Sequence, residues 1–450
     1  MECMIKFAQV HEDFRLAEIK AIAVAENIDL SILDYSDDSP ICIVRLRSED
    51  DARKLAKRSI LIQSIYEYWA SAPTLDELHE VVKAKTQHLW PRFRECSFRF
   101  DVECYQSTRP HDARIKIIES FGYLPFDGPI VMSKPDENFN IFELWELPDA
   151  SKGILPTQPL SVHFGRYLET SARDQVKKYD LKKRSYIATT SMESEVALIT
   201  ANIALAGPGK LFFDPFVGTG SFPVSCANFG AICWGSDIDG RSIRGKGGKQ
   251  TLKGNFDQYG LRSCLGDFFA ADITNHPFAN RRIWDGIVCD IPYGVREGLK
   301  VLGLKDPEKT PWLVEKGKTY WRDPTYNPPK KPYGLVAIID DLLAFSAASL
   351  VDGGRLCFWM PTANDEDQEL PTPFHPRLEF VTSCKQVFTK WSRRLMVYRR
   401  MSDNDVDAST LKAFEERVVA APVGTTADEL NSFRRRYFTA FKDESTPPEQ

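Results

Sequence analysis

Hydrophobic and polar positions follow two rhythms along this chain. From Met1 to about Leu147, short apolar alternations such as Cys42-Ile-Val-Arg-Leu and Phe98-Arg-Phe-Asp-Val interleave with helical patterns at Phe14 to Glu26 and Leu75 to Lys85. That mixture predicts α+β packing. Farther on, apolar runs end abruptly at acids. Leu211 to Phe213 stops at Asp214, a Gly-bearing loop opens, Ser221 to Phe229 reads as a helix, and Ala231 to Gly235 is a second run. A third plausible strand, Ser263 to Gly266, precedes Asp267, and a fourth, within Asp285 to Cys289, leads to Asp290. This strand, loop, helix, strand alternation predicts an α/β, doubly wound, Rossmann-like sheet with its ligand over the carboxyl ends of the strands.

After Tyr293 the periodicity lapses. Val295 to Tyr333 is rich in Lys, Pro and aromatics, longer than an ordinary connection, and a candidate lid. A helix at Leu335 to Leu350, a Gly353-Gly354 turn and a strand at Arg355 to Pro361 resume the pattern, and Phe388 to Tyr398 reads as a last antiparallel strand. Two helical patterns with a Gly-Thr-Thr break follow Arg400, and the Pro-rich end, Ser445 to Gln450, predicts a disordered tail. The expected organisation is a binding region at 1–150, a linker at 151–185 with Gly153 and Pro156 in it, a catalytic domain at 186–402 and a helical extension at 403–450.

The first loop, Asp214-Pro-Phe-Val-Gly-Thr-Gly220, selects among ligands. A dinucleotide fingerprint needs a third glycine where this chain has Pro223, and a carboxylate at Asp214 repels a pyrophosphate. The same carboxylate attracts an ammonium or sulfonium, and S-adenosylmethionine carries both. Asp237, twenty-three residues after Asp214, stands where a carboxylate accepts ribose hydroxyls, with Asp239 a weaker substitute. Asp267 is placed for the adenine amine, with Phe268 packing nearby. Any one of these acids alone also reads as a turn residue or helix cap. Candidate cofactor residues are therefore Asp214, Pro215, Phe216, Gly218, Gly220, Asp237, Asp267 and Phe268.

Asp290-Ile-Pro-Tyr293 points to the reaction. An amine conjugated to a base ring is a weak nucleophile and needs acceptors that hold its hydrogens and aim its lone pair. The Asp290 carboxylate and the Ile291 carbonyl can serve, Pro292 stiffens the chain without adding a donor, and Tyr293 can stack on a nucleobase. The predicted reaction is methyl transfer to a planar amino group.

These motifs, taken with Leu181-Lys-Lys-Arg-Ser-Tyr-Ile-Ala-Thr-Thr-Ser-Met192, Asp290-Ile-Pro-Tyr-Gly-Val-Arg-Glu297 and Trp391-Ser-Arg-Arg-Leu395, make the chain resemble the eukaryotic tRNA guanine-10 N2-methyltransferase catalytic subunit family over nearly all of its length. The resemblance implies a class I methyltransferase domain behind a ferredoxin-like and THUMP-type RNA-binding region, and guanine 10 of tRNA as acceptor. It also implies a small zinc-binding activator subunit as heterodimer partner, and it sets Thr190, Ser191 and Met192 near the methionine end of the cofactor. The family's amine motif usually reads Asp-Pro-Pro-Tyr, so Ile291 is a departure that keeps the carbonyl acceptor. A parallel sheet of this type leaves its third strand, near Arg262 to Leu265, at an open edge suited to strand addition. Three other readings stay open: the same chemistry on ribosomal RNA or DNA, an inactive tRNA-binding scaffold and, more remotely, a dehydrogenase.

Composition adds limits. With 450 residues, 43% hydrophobic and 27% charged, the chain can bury a sizeable core. Its net charge is only −5, so a nucleic-acid surface must gather positive charge locally. Lys182, Lys183 and Arg184 lie in one such cluster, flanked by Tyr179 and Tyr186; Arg393 and Arg394 lie in another beside Trp391, and Arg241 to Lys249, expected in the helix after Asp237, form a third. Ten scattered cysteines without a Cys-x-x-Cys pair predict neither disulfides nor a metal site. The absence of a membrane-length apolar run and of a signal-like start sets a cytoplasmic expectation.

Overall fold

In the computed structural model, which describes residues 1–148, 156–279, 281–294, 299–303, 328–362, 371–389 and 391–417, the front of the chain builds one mixed sheet. Its strands are β1 (Glu2–Phe7), β2 (Ser31–Tyr35), β3 (Ile41–Arg45), β4 (Ile62–Ala72), β5 (Phe98–Tyr105), β6 (Glu137–Leu144) and β7 (Ser161–Thr170), in the order β2-β3-β1-β4-β7-β6-β5. Only β5 and β6 pair in parallel among these. Helices α1 (Arg15–Ala25), α2 (Glu49–Arg58), α3 (Leu75–Lys85) and α4 (His111–Glu119) belong to the same part of the chain. The starts of α2 and α3 are fixed by Ser48 and Thr74, whose side chains accept the amide hydrogens of Asp51 and Glu77. Trp69, Phe93, Phe139 and Phe164 pack into one of the cores.

The segment expected to be a linker, 151–185, is corrected in part. Residues 149–155 lie outside the described set, but Ser161–Thr170 is β7, an interior strand between β4 and β6. Its polar residues disguise it. His163 and Arg166 are buried, and Arg166 is neutralised by Glu67 at 2.7 Å, by Glu137 at 3.0 Å and by Glu49. The contacts divide the chain into Met1–Gln175 and Val176–Gln450.

The back unit begins within α5 (Asp174–Lys178). Its elements are α6 (Ser194–Ile203), β8 (Leu211–Asp214), α7 (Ser221–Asn228), β9 (Ile232–Asp237), α8 (Gly240–Arg244), α9 (Leu252–Gln258), β10 (Leu265–Ala270), β11 (Trp284–Asp290), β12 (Lys300–Leu302), β13 (Lys330–Pro332), α10 (Leu335–Ser349), β14 (Leu350–Thr362), β15 (Leu378–Val387), β16 (Ser392–Arg400) and α11 (Ala408–Glu415). The main sheet runs β10-β9-β8-β11-β14-β16-β15. The first five strands are parallel, and β16 is antiparallel to both neighbours. Strand order reverses between β8 and β11, which sets Asp214 and Asp290 beside the switch point where such sheets bind ligands. The apolar helix α10 buries Leu335, Ile338, Ile339, Leu342 and Leu343 in the same core as Ile287 and Phe358.

Several expectations shift. Asp267 lies within β10 rather than at its end, because the strand runs on to Ala270, which is level with Asp237. The basic run Arg241 to Lys249 is not one helix: α8 ends at Arg244, and Gly245 follows at φ +67°. Part of the candidate lid forms the small ribbon β12 and β13, while 295–298 and 304–327 lie outside the described residues, as do 418–450. Among the described residues no helix is long and apolar enough to cross a membrane.

Candidate functional site

The loop after β8 is held by carboxylates. Asp214 Oδ1 accepts the Phe216 amide hydrogen at 3.0 Å, and Asp237 Oδ2 accepts that of Gly218 at 3.0 Å. Asp237 Oδ1 accepts the Asp239 amide at 2.8 Å, so one side chain ties the loop to the turn after β9. The Val217 amide donates to the Ser236 carbonyl at 2.9 Å. Gly218 and Gly220 take φ of +48° and +84°, a region that L side chains avoid. A Cβ added at Gly218 would meet only the Phe216 carbonyl, at 4.0 Å, so the loop leaves room over this residue.

This arrangement separates the two ligand classes. In a dinucleotide site the loop amides cradle phosphate, but here the Phe216 and Gly218 amides already donate to Asp214 and Asp237. Burial pushes Asp214 well above the usual carboxylate range, and the nearby Asp237 and Asp290 push it further. Burial raises Asp237 as well, against the two amides that stabilise its charge. A phosphate would add to this repulsion. A ligand with a cationic end would relieve it, and the donor set therefore fits S-adenosylmethionine.

Around the loop, Ser191 Oγ lies 2.7 Å from Thr219 Oγ1 and accepts the Ala188 amide at 2.9 Å, while Met192 is buried and Thr190 is exposed. Pro215 is buried and Phe216 half-buried. On β10, Asp267 is exposed and ion-paired with Lys253 at 2.9 Å, and this partner holds its carboxyl below the usual range. Phe268 packs on Phe256 with 5.7 Å between ring centroids.

Sequence reasoning missed Asn255, which is fully buried on α9. Its Oδ1 accepts the Tyr186 amide at 3.0 Å, and its Nδ2 donates to the Tyr186 carbonyl at 2.8 Å and the Thr219 carbonyl at 3.1 Å. Gln258, one turn later, accepts the Ser185 amide and donates to the Lys183 carbonyl. Together they fasten the 183–186 segment to the helix and, through Asn255, to the glycine loop. An asparagine in Leu-Lys-Gly-Asn-Phe-Asp-Gln has no spacing signature; only its burial marks it.

At the switch point, Asp290 ends β11 level with Trp359 of β14. Burial raises its carboxyl to about 6, while the Tyr293 hydroxyl and the Arg393 charge oppose that rise. Tyr293 donates to Asp290 Oδ1 and meets Trp391 edge-on, with ring centroids 5.9 Å apart. Trp391 stacks on Phe388 at 4.8 Å across the β15–β16 turn. Pro292 is exposed. Ile291 is 1% exposed and belongs to the core cluster around α10, so the residue that departs from Asp-Pro-Pro-Tyr fills apolar space.

The basic candidates divide. Lys182 and Lys183 are exposed. Arg184 is corrected: it is 5% exposed, donates to Ser221 Oγ at 3.1 Å at the start of α7, and burial lowers its pKa, so it supports the loop rather than meeting phosphate. Its aromatic neighbours Tyr179 and Tyr186 are buried too. Arg394 is 9% exposed and offers phosphate little surface, whereas Arg393 is half-buried near Trp359.

The Tmrp11 THUMP N-terminal domain family matches residues 1–173. A tRNA (guanine(10)-N(2))-methyltransferase of Saccharomyces cerevisiae is 44% identical over 402 residues, spanning 88% of this chain and 92% of that protein. The Schizosaccharomyces pombe protein of the same name is 32% identical over 97% of this chain and 96% of its own length. The human one, tRNA (guanine(10)-N(2))-methyltransferase TRMT11, is 30% identical over 97% and 95%. Among solved structures, TrmN from Thermus thermophilus aligns with 89% of this chain and 100% of its own at 15% identity, with a TM-score of 0.40, too weak a likeness to carry an argument.

Replacing Asn255 by Ala removes three hydrogen bonds from two loop segments, each worth on the order of 1 kcal/mol. Calorimetric titration with S-adenosylmethionine is expected to show affinity weakened roughly tenfold, about 1.4 kcal/mol. Unchanged affinity would mean that the clamp does not shape the site.

Proposed function

Because the chain belongs to the tRNA (guanine(10)-N(2))-methyltransferase family, we propose that it transfers a methyl group from S-adenosylmethionine to the 2-amino group of guanine 10 in tRNA. The observation that carries the reading is Asp290, a carboxylate at a strand end beside the carboxylate-held loop of Asp214 and Asp237. Bound S-adenosylmethionine supplies an electrophilic methyl carbon. Asp214 would face its cationic end, Asp237 its ribose hydroxyls and Asp267 with Phe268 its adenine, while Thr190, Ser191 and Met192 would neighbour the methionine portion.

The protein's part in the reaction is to hold the amine. Asp290 and the Ile291 carbonyl each accept one amine hydrogen, which orients the nitrogen lone pair toward the methyl carbon and keeps the ring in register. Tyr293 occupies one Asp290 oxygen and leaves the other for the substrate. The methyl–sulfur bond of the cofactor would break as the nitrogen–carbon bond formed, leaving the neutral thioether S-adenosylhomocysteine, and the amine proton would pass to Asp290 and on to water. With its carboxyl near 6, Asp290 is ionised at neutral pH yet basic enough to take that proton. Tyr293, Trp391 and Phe388 form an aromatic wall against which an extruded guanine can lie. The front region and the exposed Lys182 and Lys183 serve tRNA binding.

The reading includes the activator subunit as partner. The edge position of β10, which pairs only with β9 among the described strands, supports it. Co-expression with the activator is expected to raise soluble yield and activity. A chain equally soluble and active alone would remove the partner from the account.

The test of the reaction is to incubate the chain and activator with labelled S-adenosylmethionine and unmodified tRNA, digest the RNA and identify the product. N2-methylguanosine is expected. Asp290→Ala should lower transfer about a hundredfold or more with cofactor affinity little changed. In the wild type the rate should fall as pH drops through about 6, because the acceptor becomes protonated. The same raised carboxyl stabilises the folded protein below the ordinary carboxylate value, and that contribution is lost as pH rises through about 6. Near-normal turnover in Asp290→Ala would refute the amine-holding role.

A further inference from the structure

Arg393 is held more tightly than a side chain waiting for phosphate. Its guanidinium carbon lies 4.8 Å from the centroid of the Trp359 ring and 5.4 Å from that of Phe388. Nε donates to Gln386 Oε1, on the neighbouring strand β15, at 2.7 Å. Trp359 is itself fixed: it is fully buried and donates its indole hydrogen to Thr200 Oγ1 at 3.2 Å. Trp359 is also the residue paired with Asp290 across β11 and β14. The guanidinium therefore sits over the strand position next to the carboxylate, and it faces the Tyr293 hydroxyl, which donates to Asp290.

We propose that Arg393 is a positioning residue for the amine-holding carboxylate: it fixes the Tyr293 hydroxyl as a donor to Asp290 and supplies the positive charge that keeps Asp290 an acceptor at neutral pH. The inference rests on the reading of Asp290 as the group that holds the target amine. Among the described residues, the ionisable groups around Asp290 come from three places. Asp214 at the end of β8 shares a repulsion with Asp290 that raises the Asp214 carboxyl, whereas Tyr293, just after β11, and Arg393 of β16 favour the Asp290 charge. Burial outweighs the favourable pair and leaves the carboxyl raised, so removing one member should raise it further. Arginine suits the position because a planar guanidinium can lie against an indole and a phenyl ring while donating in its own plane to Gln386.

The test compares wild type, Arg393→Lys and Arg393→Met in two measurements. In the first, the pH dependence of kcat for tRNA methylation should show an acidic limb near 6 in the wild type. In Arg393→Met that limb should move up by about one pH unit, with kcat at pH 7 down about twofold and at pH 6 about fivefold, and KM for tRNA within about twofold. Arg393→Lys should restore most of the limb's position, since it retains the charge. An unmoved limb with a raised, salt-sensitive KM would make Arg393 a phosphate ligand and overturn the proposal. In the second, carbon-13 NMR follows the Asp290 carboxyl in substrate-free protein, assigned with Asp290→Asn. Its midpoint should rise in Arg393→Met, and an unchanged midpoint overturns the proposal whatever the activity. If the wild type methylates no tRNA, the functional reading fails on its own, and the carboxyl titration still decides the role of Arg393. S-adenosylmethionine binding by both variants verifies that they fold.

Discussion

The catalytic unit turns on two hydrogen bonds in which carboxylates accept from the glycine loop, Phe216 to Asp214 and Gly218 to Asp237. They shape the loop, consume the amides that a phosphate would need and gather negative charge at one end of the sheet. Parallel strands do the gathering: Asp214, Asp237 and Asp290 each close a strand at its carboxyl end. Burial makes the concentration unfavourable in the absence of a cation, and Asp214 is raised further by both of its acidic neighbours. Affinity for a ligand with a cationic end follows from that stored repulsion.

Much of this was legible in the chain, for a physical reason. Apolar runs that stop at an acid mark strand ends, so the positions of β8, β9 and β11, and with them three of the carboxylates, follow from local pattern alone. Where long-range pairing decides, local pattern fails. Strand β7 carries Arg166 and His163 into the interior, and only the carboxylates contributed by β4, β6 and α2 make that burial tolerable. Arg184 belongs to a run of cations that reads as a surface, yet the fold turns it under α7. Asp267 reads as a strand end, but β10 continues past it. Asn255 has no motif at all, since its role is set by two loops that meet only in the folded unit.

The end of the site proposed to hold the amine depends on the same sheet from the other side of the switch point. Strand β16 returns antiparallel beside β14 and brings Arg393 to the Trp359 that pairs with Asp290. The hairpin turn at its start adds Phe388 and Trp391 to the wall around Tyr293. Ile291 shows how the tetrapeptide is anchored: its side chain belongs to the core around α10, so a residue other than the more usual proline still presents the backbone carbonyl proposed as acceptor.

If the buried acids at this switch point await a cation, the proton balance of cofactor binding reveals it. Calorimetric titration with S-adenosylmethionine near pH 6, in buffers of different ionisation enthalpy, should reveal net proton release as the ligand's positive charge draws Asp214 and its neighbours into their ionised forms, and Asp214→Asn should diminish that release. Binding without proton release, or with uptake, would contradict the account.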